Sequence, residues 1–599
     1  MSSKFVRLNV VVCVVMGLIA QGMETGWAAK SHRQVTGGTT MIAQAGAAQP
    51  DKGETIERKV DLPAGVQRDA VGFTIKEFVV EGSTLLPQDK INEIVGKYKG
   101  SGKQMADLEQ ARAELEKSYQ ALGFPTVLVT IPEQTIDGGT VRMQVIEGRL
   151  LEIKVSGNEY YPRYQILEKL PSLRTGNLIE EKVLLKEIDA VNVNPDLKVT
   201  PVLKAGSEPG MVDLELKVKD RLPMHAKLTA DNKGPRTTPA NRITAEVSYS
   251  NLWQADHTLS LQTTQTPTEW GAVQAYGFSY VAPISGPQHI VAIYASKVLS
   301  NSVLAGNTLA VSPGNINVAG NATIAGFRYI FPILQGGMTA HSITFGADYK
   351  RLEKTEATFP GALGTATVLS LIQYTPVSLA YSVVRPDPFG VFDFSVTAKG
   401  YWPVIPGGKK EDFAGDPNDP FEKPGNRHGS TGKFYVLQSA LNRNQPLPYG
   451  FHLALHADGQ WASEPLVPAE QYFAGGADSV RGYFANESIG DHAVRGRAEL
   501  YTPNLPDIPL DYYWQRRKSS DIKIRWKLLG FYDAAHLWVA KAPAGQTDQF
   551  RLQGVGGGIR AELVPYNLSF RLDQGLALDD ATATRRGDTF VHFAVSLAY

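Results

Sequence analysis

The chain has 599 residues, and its 60 Lys plus Arg balance its 60 Asp plus Glu, so the formal net charge is zero. That balance lacks the basic excess of a nucleic-acid binder. Its 43% hydrophobic and 20% charged residues exclude a disordered chain. The one cysteine is Cys13, inside an N-terminal apolar run, so the mature chain is expected to carry no disulfide and no thiolate metal site.

Lys4 and Arg7 precede an apolar stretch over 8–20 that is short for a bilayer span, with small residues after it. This is the pattern of a secretory signal peptide, assigned to residues 1–28, with cleavage after Ala28 or after Ala45 both open. Residues 29–72 read as a linker in which "GETIERKV" makes at most a weak helix. No later apolar run reaches the ~18 residues of a membrane helix, so the protein is either exported and soluble or crosses a membrane as strands.

Residues 73–148 carry an α+β rhythm. "TIKEFVVEG" is strand-like. Ile91, Ile94, Val95 and Tyr98, then Leu108, Ala111, Leu115, Tyr119 and Leu122, recur at helical spacing, and Gly123 is a natural stop. "TVLVTI" and "TVRMQVIEG" follow as strands. Residues 149–222 repeat the order strand, helix, helix, strand, strand, with "FVVEGST" and "IKVSGNE" at equivalent places.

From residue 223 to 599 the helical pattern gives way to alternating segments between Gly/Pro/Asn/Asp turns. "RITAEVSYSN", "HSITFGADY" and "VFDFSVTAKG" each put apolar residues on one face and polar or small ones on the other. Trp253, Trp402 and Trp538 fall at strand ends, several connections are long and polar, and the chain closes on "TFVHFAVSLAY". A transmembrane antiparallel β-barrel of about sixteen strands accounts for these features.

Sequence stretches that suggest catalysis dissolve on inspection. "GSTGKF" lacks the first glycine of a phosphate loop, with Arg427 at that place, and has Phe434 where Ser or Thr is required. "GVGGGIR" at 554–560 lacks dinucleotide spacing, and its glycines suit a curved strand. There is neither an H-E-x-x-H nor a G-x-S-x-G. The chain is read as no enzyme, with no metal, cofactor or nucleic-acid partner.

The paired α+β units resemble POTRA domains. Within "SYQALGFPTVLVTIPEQTIDGGTVRMQVIEG", Tyr119, Gly123, Pro132, Gln134, Gly138, Glu147 and Gly148 are similar to the first POTRA of two-partner secretion transporters. "YFAGGADSVRGYF", with Val480, Arg481, Gly482 and Tyr483, resembles the lid-loop signature of the Omp85 superfamily, near 470–495. "GFYDAAHLW" is similar to that superfamily's barrel-wall motif, with Phe531 and Asp533 in place and Ala535 where glycine is usual.

The resemblance implies an outer-membrane transporter of TpsB type, with its POTRA units in the periplasm. It would capture an unfolded adhesin- or haemolysin-like β-helical exoprotein and pass it through the barrel without ATP. It further implies contact with outer-membrane lipid and with the barrel assembly machinery, for which Tyr599 is the expected terminal signal. An insertase of the same superfamily and a diffusion porin are the alternatives; insertases usually carry three or more POTRA units, and porins lack them. Period two turns Asp533 inward and puts Ile522, Ile524, Trp526, Leu528 and Tyr532 on the lipid side. In the family the lid loop folds into the barrel, so Arg481 is expected to meet Asp533, with Asp573 as the rival partner.

Overall fold

The computed structural model describes residues 72–599 except 137, 209, 237, 285–288, 301–302, 305–317, 320, 337–338, 359–364, 370, 404–406, 417–424, 428, 510–521 and 543–546. The expected signal peptide, and the linker with its weak helix, lie outside the described residues. The rest falls into two units, divided between Pro223 and Met224.

The first unit holds two copies of one small design. In the first copy Glu77–Glu81 runs parallel to Thr140–Glu147, and Val127–Thr130 pairs antiparallel on the other side. Helices Gln88–Gly96 and Met105–Ala121 lay Ile91, Val95, Leu108, Ala111, Leu115 and Tyr119 on Phe78, Val141, Met143 and Val145. Leu122 stays outside this core at 47% exposure, because the helix ends there and Gly123 turns the chain at φ +98°. Sequence reading missed a short strand, Gly100–Lys103, paired with Phe73–Ile75; its "GSGK" has no apolar alternation to reveal it.

The second copy repeats the sheet with Arg149–Ser156, Met211–Asp220 and Leu197–Ala205, in the same senses. Its helices are Glu181–Asn192 and a short Arg163–Glu168, which Pro162 opens and Pro171 follows. The equivalence reaches single atoms. Gly82 and Gly157 have φ +86° and +85°, and a Cβ would lie 2.3 Å from Val145 O in one and 2.5 Å from Val218 O in the other. A carboxylate at the end of the last strand caps the loop after the first. Glu147 accepts from the amides of Thr84 (2.6 Å) and Leu85 (3.0 Å); Asp220 accepts from those of Glu159, Tyr160 and Tyr161 at 2.7–2.9 Å.

The POTRA signature residues are therefore structural here. After Thr130 the strand is broken by Pro132, which cannot donate to a ladder. Gln134 takes over: its Oε1 accepts from Arg142 N (2.7 Å), and its Nε2 donates to Arg142 O (2.7 Å) and Pro132 O (3.2 Å). One side-chain amide thus imitates the missing strand residue. Gly138 turns into the next strand at φ +70°. Gly148 joins the copies where a Cβ would lie 2.3 Å from Thr126 O and 2.9 Å from a Val212 methyl.

The second unit is one closed barrel. Eighteen paired segments form it among the described residues, and two of them, Ile372–Tyr374 and Ile508–Pro509, continue Val377–Asp387 and His492–Tyr501, leaving sixteen antiparallel strands. Side chains alternate as the sequence predicted. On Lys523–Trp538, Leu528 and Tyr532 are exposed outward while Leu529, Phe531, Asp533 and Ala535 are buried inward. Val247, Leu261, Phe345 and Leu379 continue the outward apolar surface that suits lipid. The barrel closes where Met224–Asp231 meets Thr589–Ala598 through only five residue pairs, from Ala594 opposite Asp231 to Ala598 opposite Lys227. Past the ladder, Asn232 repeats the Gln134 device, donating to Val591 O and accepting from Phe593 N, both at 3.0 Å. Tyr599 exchanges backbone hydrogen bonds with Ala226 while its side chain is 76% exposed.

Gln134→Ala removes both bonds to Arg142. Each is worth about 0.5–1.5 kcal/mol net, so the fragment 72–223 should lose about 1–3 kcal/mol in urea denaturation. An unchanged midpoint would refute the strand-mimic reading.

Candidate functional site: the lid loop and its seats

The loop between His452–Ala462 and His492–Tyr501 runs over 463–491 and folds back into the barrel. At its tip Arg481 is fully buried. A charged guanidinium out of water needs partners on every side, and the inward faces of three strands supply them. Arg481 Nε and Nη2 make a two-pronged contact with Asp533 (2.7 and 2.8 Å), and Arg481 N adds a third bond at 3.1 Å. Nη1 reaches Glu499 at 2.7 Å and Asp573 at 3.3 Å. The guanidinium carbon lies 3.4 Å from the centre of the Phe531 ring, a cation–π contact. The wall motif is thus a seat: Phe531 stacks, Asp533 chelates. Expected partner and rival both touch the arginine, Asp533 by the closer, bidentate contact.

The carboxylates are held in turn. Arg560 and Arg571 each reach Asp573 at 2.6 Å, and Arg497 reaches Asp533 (3.4 Å) and Glu499 (3.3 Å). Sequence reading named neither Glu499 nor these arginines. For Arg497 and Glu499 the signal was the inward parity of "VRGRAELY", which alternates Arg495, Arg497 and Glu499.

The glycines around the tip are there for space. A Cβ on Gly554 would lie 1.9 Å from Arg481 O, one on Gly556 2.6 Å from the Phe531 ring, and one on Gly558 2.1 Å from an Asp573 oxygen. "GVGGG" is therefore a trough under the loop, a more specific reason than the strand curvature the sequence suggested. Gly482, at φ +98°, turns the loop against Leu576 and Ala577, 2.9 Å from a Cβ placed there. Val480 packs into an apolar pocket with Ala474, Ala535, Leu537 and Leu552. The Tyr483 hydroxyl lies 2.9 Å from Gln553 O and 3.0 Å from Asp579 O.

A second seat holds the base of the loop and was not foreseen. Glu470, 4% exposed, bonds Lys350 Nζ (2.5 Å), Lys399 Nζ (3.0 Å) and the Tyr374 hydroxyl (2.9 Å) on another part of the wall. Beside it Leu466, Val467 and Ala469 pack with Tyr374, Tyr401, Phe434 and Phe413, the last from a short helix, Lys410–Ala414, that the preceding long loop sends inward. Asp491 joins the loops: it accepts from the amides of Leu466 and Ala540 (both 2.8 Å) and from Arg427 (2.8 Å). In "GSTGKF" the Thr431 amide is bound to Glu464 at 3.0 Å.

Arg481→Ala leaves three inward carboxylates short of a partner, a loss of about 3–5 kcal/mol. Asp533→Ala should cost less, since Arg481 keeps Glu499 and Asp573, and the double variant should match Arg481→Ala. Gly554→Ala should undock the tip without changing any charge. The check is maleimide labelling of a cysteine placed at Ala477, which is 4% exposed. Labelling should be slow in the parent and on the order of a hundredfold faster in Arg481→Ala, the ratio a few kcal/mol allows. Equal rates in all variants would refute the seat.

Comparison with known proteins agrees with this anatomy. The model of the POTRA domain, ShlB-type, matches residues 73–148, and that of the haemolysin secretion/activation protein ShlB/FhaC/HecB matches residues 412–560. The outer membrane transporter CdiB of Dickeya dadantii is 23% identical over 181 residues, which is 30% of this chain and 32% of that protein. The heme/hemopexin transporter protein HuxB of Haemophilus influenzae is 23% identical over 431 residues, 69% of this chain and 70% of that one. The solved structure of CdiB from Escherichia coli superposes with a TM-score of 0.58 at 16% identity, covering 90% of this chain and 93% of that one, which is a likeness of fold. The matched family segments contain the first α+β unit and the lid loop with its Phe531–Asp533 seat, and together with the CdiB and HuxB likenesses they support a TpsB-type protein of the Omp85 superfamily.

Proposed function

We propose that this protein exports one polypeptide partner across the outer membrane. The α+β units face the periplasm, where they capture the partner unfolded. It then passes through the barrel without ATP and folds outside. The partner is read as an adhesin- or haemolysin-like β-helical exoprotein. The observation that carries the proposal is that one chain holds two edge-bearing sheets and a barrel whose lumen holds a loop pinned by polar contacts. The outer strands of those sheets are Glu77–Glu81 and Val127–Thr130 in one copy, and Arg149–Ser156 and Leu197–Ala205 in the other. An extended segment can add to such an edge through main-chain hydrogen bonds that tolerate many sequences. CdiB and HuxB are named as transporters, which supports export over insertion of client barrels, and two units are fewer than insertases usually carry.

Three measurements test this. Fragment 72–223 should retain the N-terminal segment of the exoprotein encoded beside this gene, and no retention while the full chain still secretes would overturn capture. Arg481→Ala should lower secretion at least tenfold with the heat-modifiable barrel unchanged in amount; undiminished secretion would remove the lid loop from the mechanism. Deleting Tyr599, whose exposed ring ends the last strand, should instead lower the amount of assembled barrel, as expected for a contact with the assembly machinery.

A further inference from the structure

Three histidines on the outward face of the barrel share one geometry. His257 bonds the Tyr280 hydroxyl through Nδ1 at 2.5 Å, His289 bonds Tyr329 at 2.6 Å, and His341 bonds Tyr381 at 2.7 Å. In each case the tyrosine lies directly opposite the residue two positions after the histidine: Tyr280 opposite Leu259, Tyr329 opposite Val291, Tyr381 opposite Ile343. The sequence shows the repeat as His-x-apolar-x-apolar in "HTLSL", "HIVAI" and "HSITF".

All six side chains face outward, because they share parity with exposed apolar neighbours: His257 with Leu261, Tyr280 with Phe278, His289 with Ile293, His341 with Phe345, Tyr381 with Leu379. Each histidine stands at the start of a strand, beside the barrel end at which the chain enters at Met224. The pairs also keep one height. Tyr280 is opposite Ile293, two residues past Val291, and Tyr329 is opposite Phe345, two residues past Ile343. Each pair therefore steps two residues back as the wall advances two strands, which follows the stagger of tilted strands.

At the rim of a lipid-facing wall such a pair has one property a lone tyrosine lacks: the mutual bond fixes the direction of the donor that is left over and polarises it. A neutral histidine and a tyrosine bring two donors, one N–H and one O–H, and their mutual bond uses one. Whichever tautomer is present, one donor remains. Among the described residues no protein acceptor meets it. A donor at the edge of hydrocarbon is costly unless it finds an acceptor, and three such donors recur at one height near this end of the barrel.

We propose that the three pairs, His257–Tyr280, His289–Tyr329 and His341–Tyr381, bind the phosphodiester groups of phospholipids in the leaflet at the entry end of the barrel. The inference rests on the membrane-spanning fold and not on export. Phosphate oxygens are strong acceptors, and the flanking apolar residues, Leu261, Ile293 and Phe345, receive the acyl chains. The pairs occupy the third to eighth strands of the wall and leave the five-pair seam without one, so bound lipid marks the side of the barrel away from its weakest closure.

The test is phospholipid retention by the full-length barrel after detergent purification, read by native mass spectrometry with phosphatidylglycerol, with diacylglycerol and with inorganic phosphate as probes. The parent should retain phosphatidylglycerol and release diacylglycerol, and excess inorganic phosphate should not displace the lipid. The triple variant His257→Phe, His289→Phe, His341→Phe keeps the rings and should retain at least threefold less. Should it fail to assemble, the single variants and Tyr280→Phe, Tyr329→Phe and Tyr381→Phe should each lose about a third. His452→Phe, on an inward-facing histidine beside Tyr501, should change nothing. Equal retention by parent and histidine variants, equal retention of diacylglycerol, or an equal loss in His452→Phe would overturn the proposal.

Discussion

A guanidinium that is entirely out of water is the constraint on which the barrel's interior depends. Taking Arg481 into the lumen costs several kcal/mol, offset only if carboxylates lie at fixed places around it. Those places are the inward parity positions of three different strands, at Glu499, Asp533 and Asp573. A slip of one residue in any of them would send its carboxylate to the lipid side, where an unpaired charge is costlier still. The buried arginine therefore reports, and helps to enforce, the register of this quarter of the wall. The glycines at 554, 556 and 558 follow from the same constraint: Gly554 lets the loop backbone at Arg481 reach the wall, and Gly556 and Gly558 leave room for the Phe531 ring and the Asp573 carboxylate that hold the guanidinium.

A second theme is the use of a side-chain amide where a strand residue is missing. Gln134 completes the ladder of the first α+β unit after Pro132 ends the strand, and Asn232 extends the seam after its backbone pairs run out. Both supply partners to strand backbone groups that the ladder leaves unpaired, exposed at Arg142 and half-buried at Val591 and Phe593. In the seam the consequence is functional as well as structural. Five ladder pairs, the backbone pair of Tyr599 with Ala226 and one amide join first strand to last, whereas Lys523–Trp538 and Gln549–Val564 share sixteen. The wall is thus weakest where it closes.

Much of this was legible in the sequence, and the reasons for the exceptions are physical. Alternation with period two survives in "DIKIRWKLLGFYDAAHLW" because one face meets lipid and the other a polar lumen, so the inward turn of Asp533 could be read directly. Helical spacing around Leu108 to Tyr119 was equally plain. Glu470 was not, because it sits on a three-residue helical turn in a loop, where no period exists to assign a direction. Gln134 stood out as a signature residue, yet its role depends on Arg142 arriving beside it, a tertiary fact. "GVGGG" showed glycine without showing what fills the space: the occupant, Arg481, lies far away in the chain. The His–Tyr pairs carry a sequence repeat whose partner lies on the next strand, beyond connections of differing length.

The two seats together define how the lid loop can move. Glu470 holds its base against Lys350, Lys399 and Tyr374, and Arg481 holds its tip against another part of the wall. Between them lie Gly475 and Gly476, at φ +110° and +91°, conformations open to glycine and strained for other residues. Any movement that frees the tip while the base stays fixed has to bend the chain within the segment that contains this pair. The cost is that of one seat, several kcal/mol. On the export reading, a partner that folds outside the cell releases about 5–15 kcal/mol per domain, so the opening of one seat lies within what folding on the far side can supply. Opening both seats at once costs about twice as much and takes up a larger part of that supply, which favours a hinged tip over a fully displaced loop.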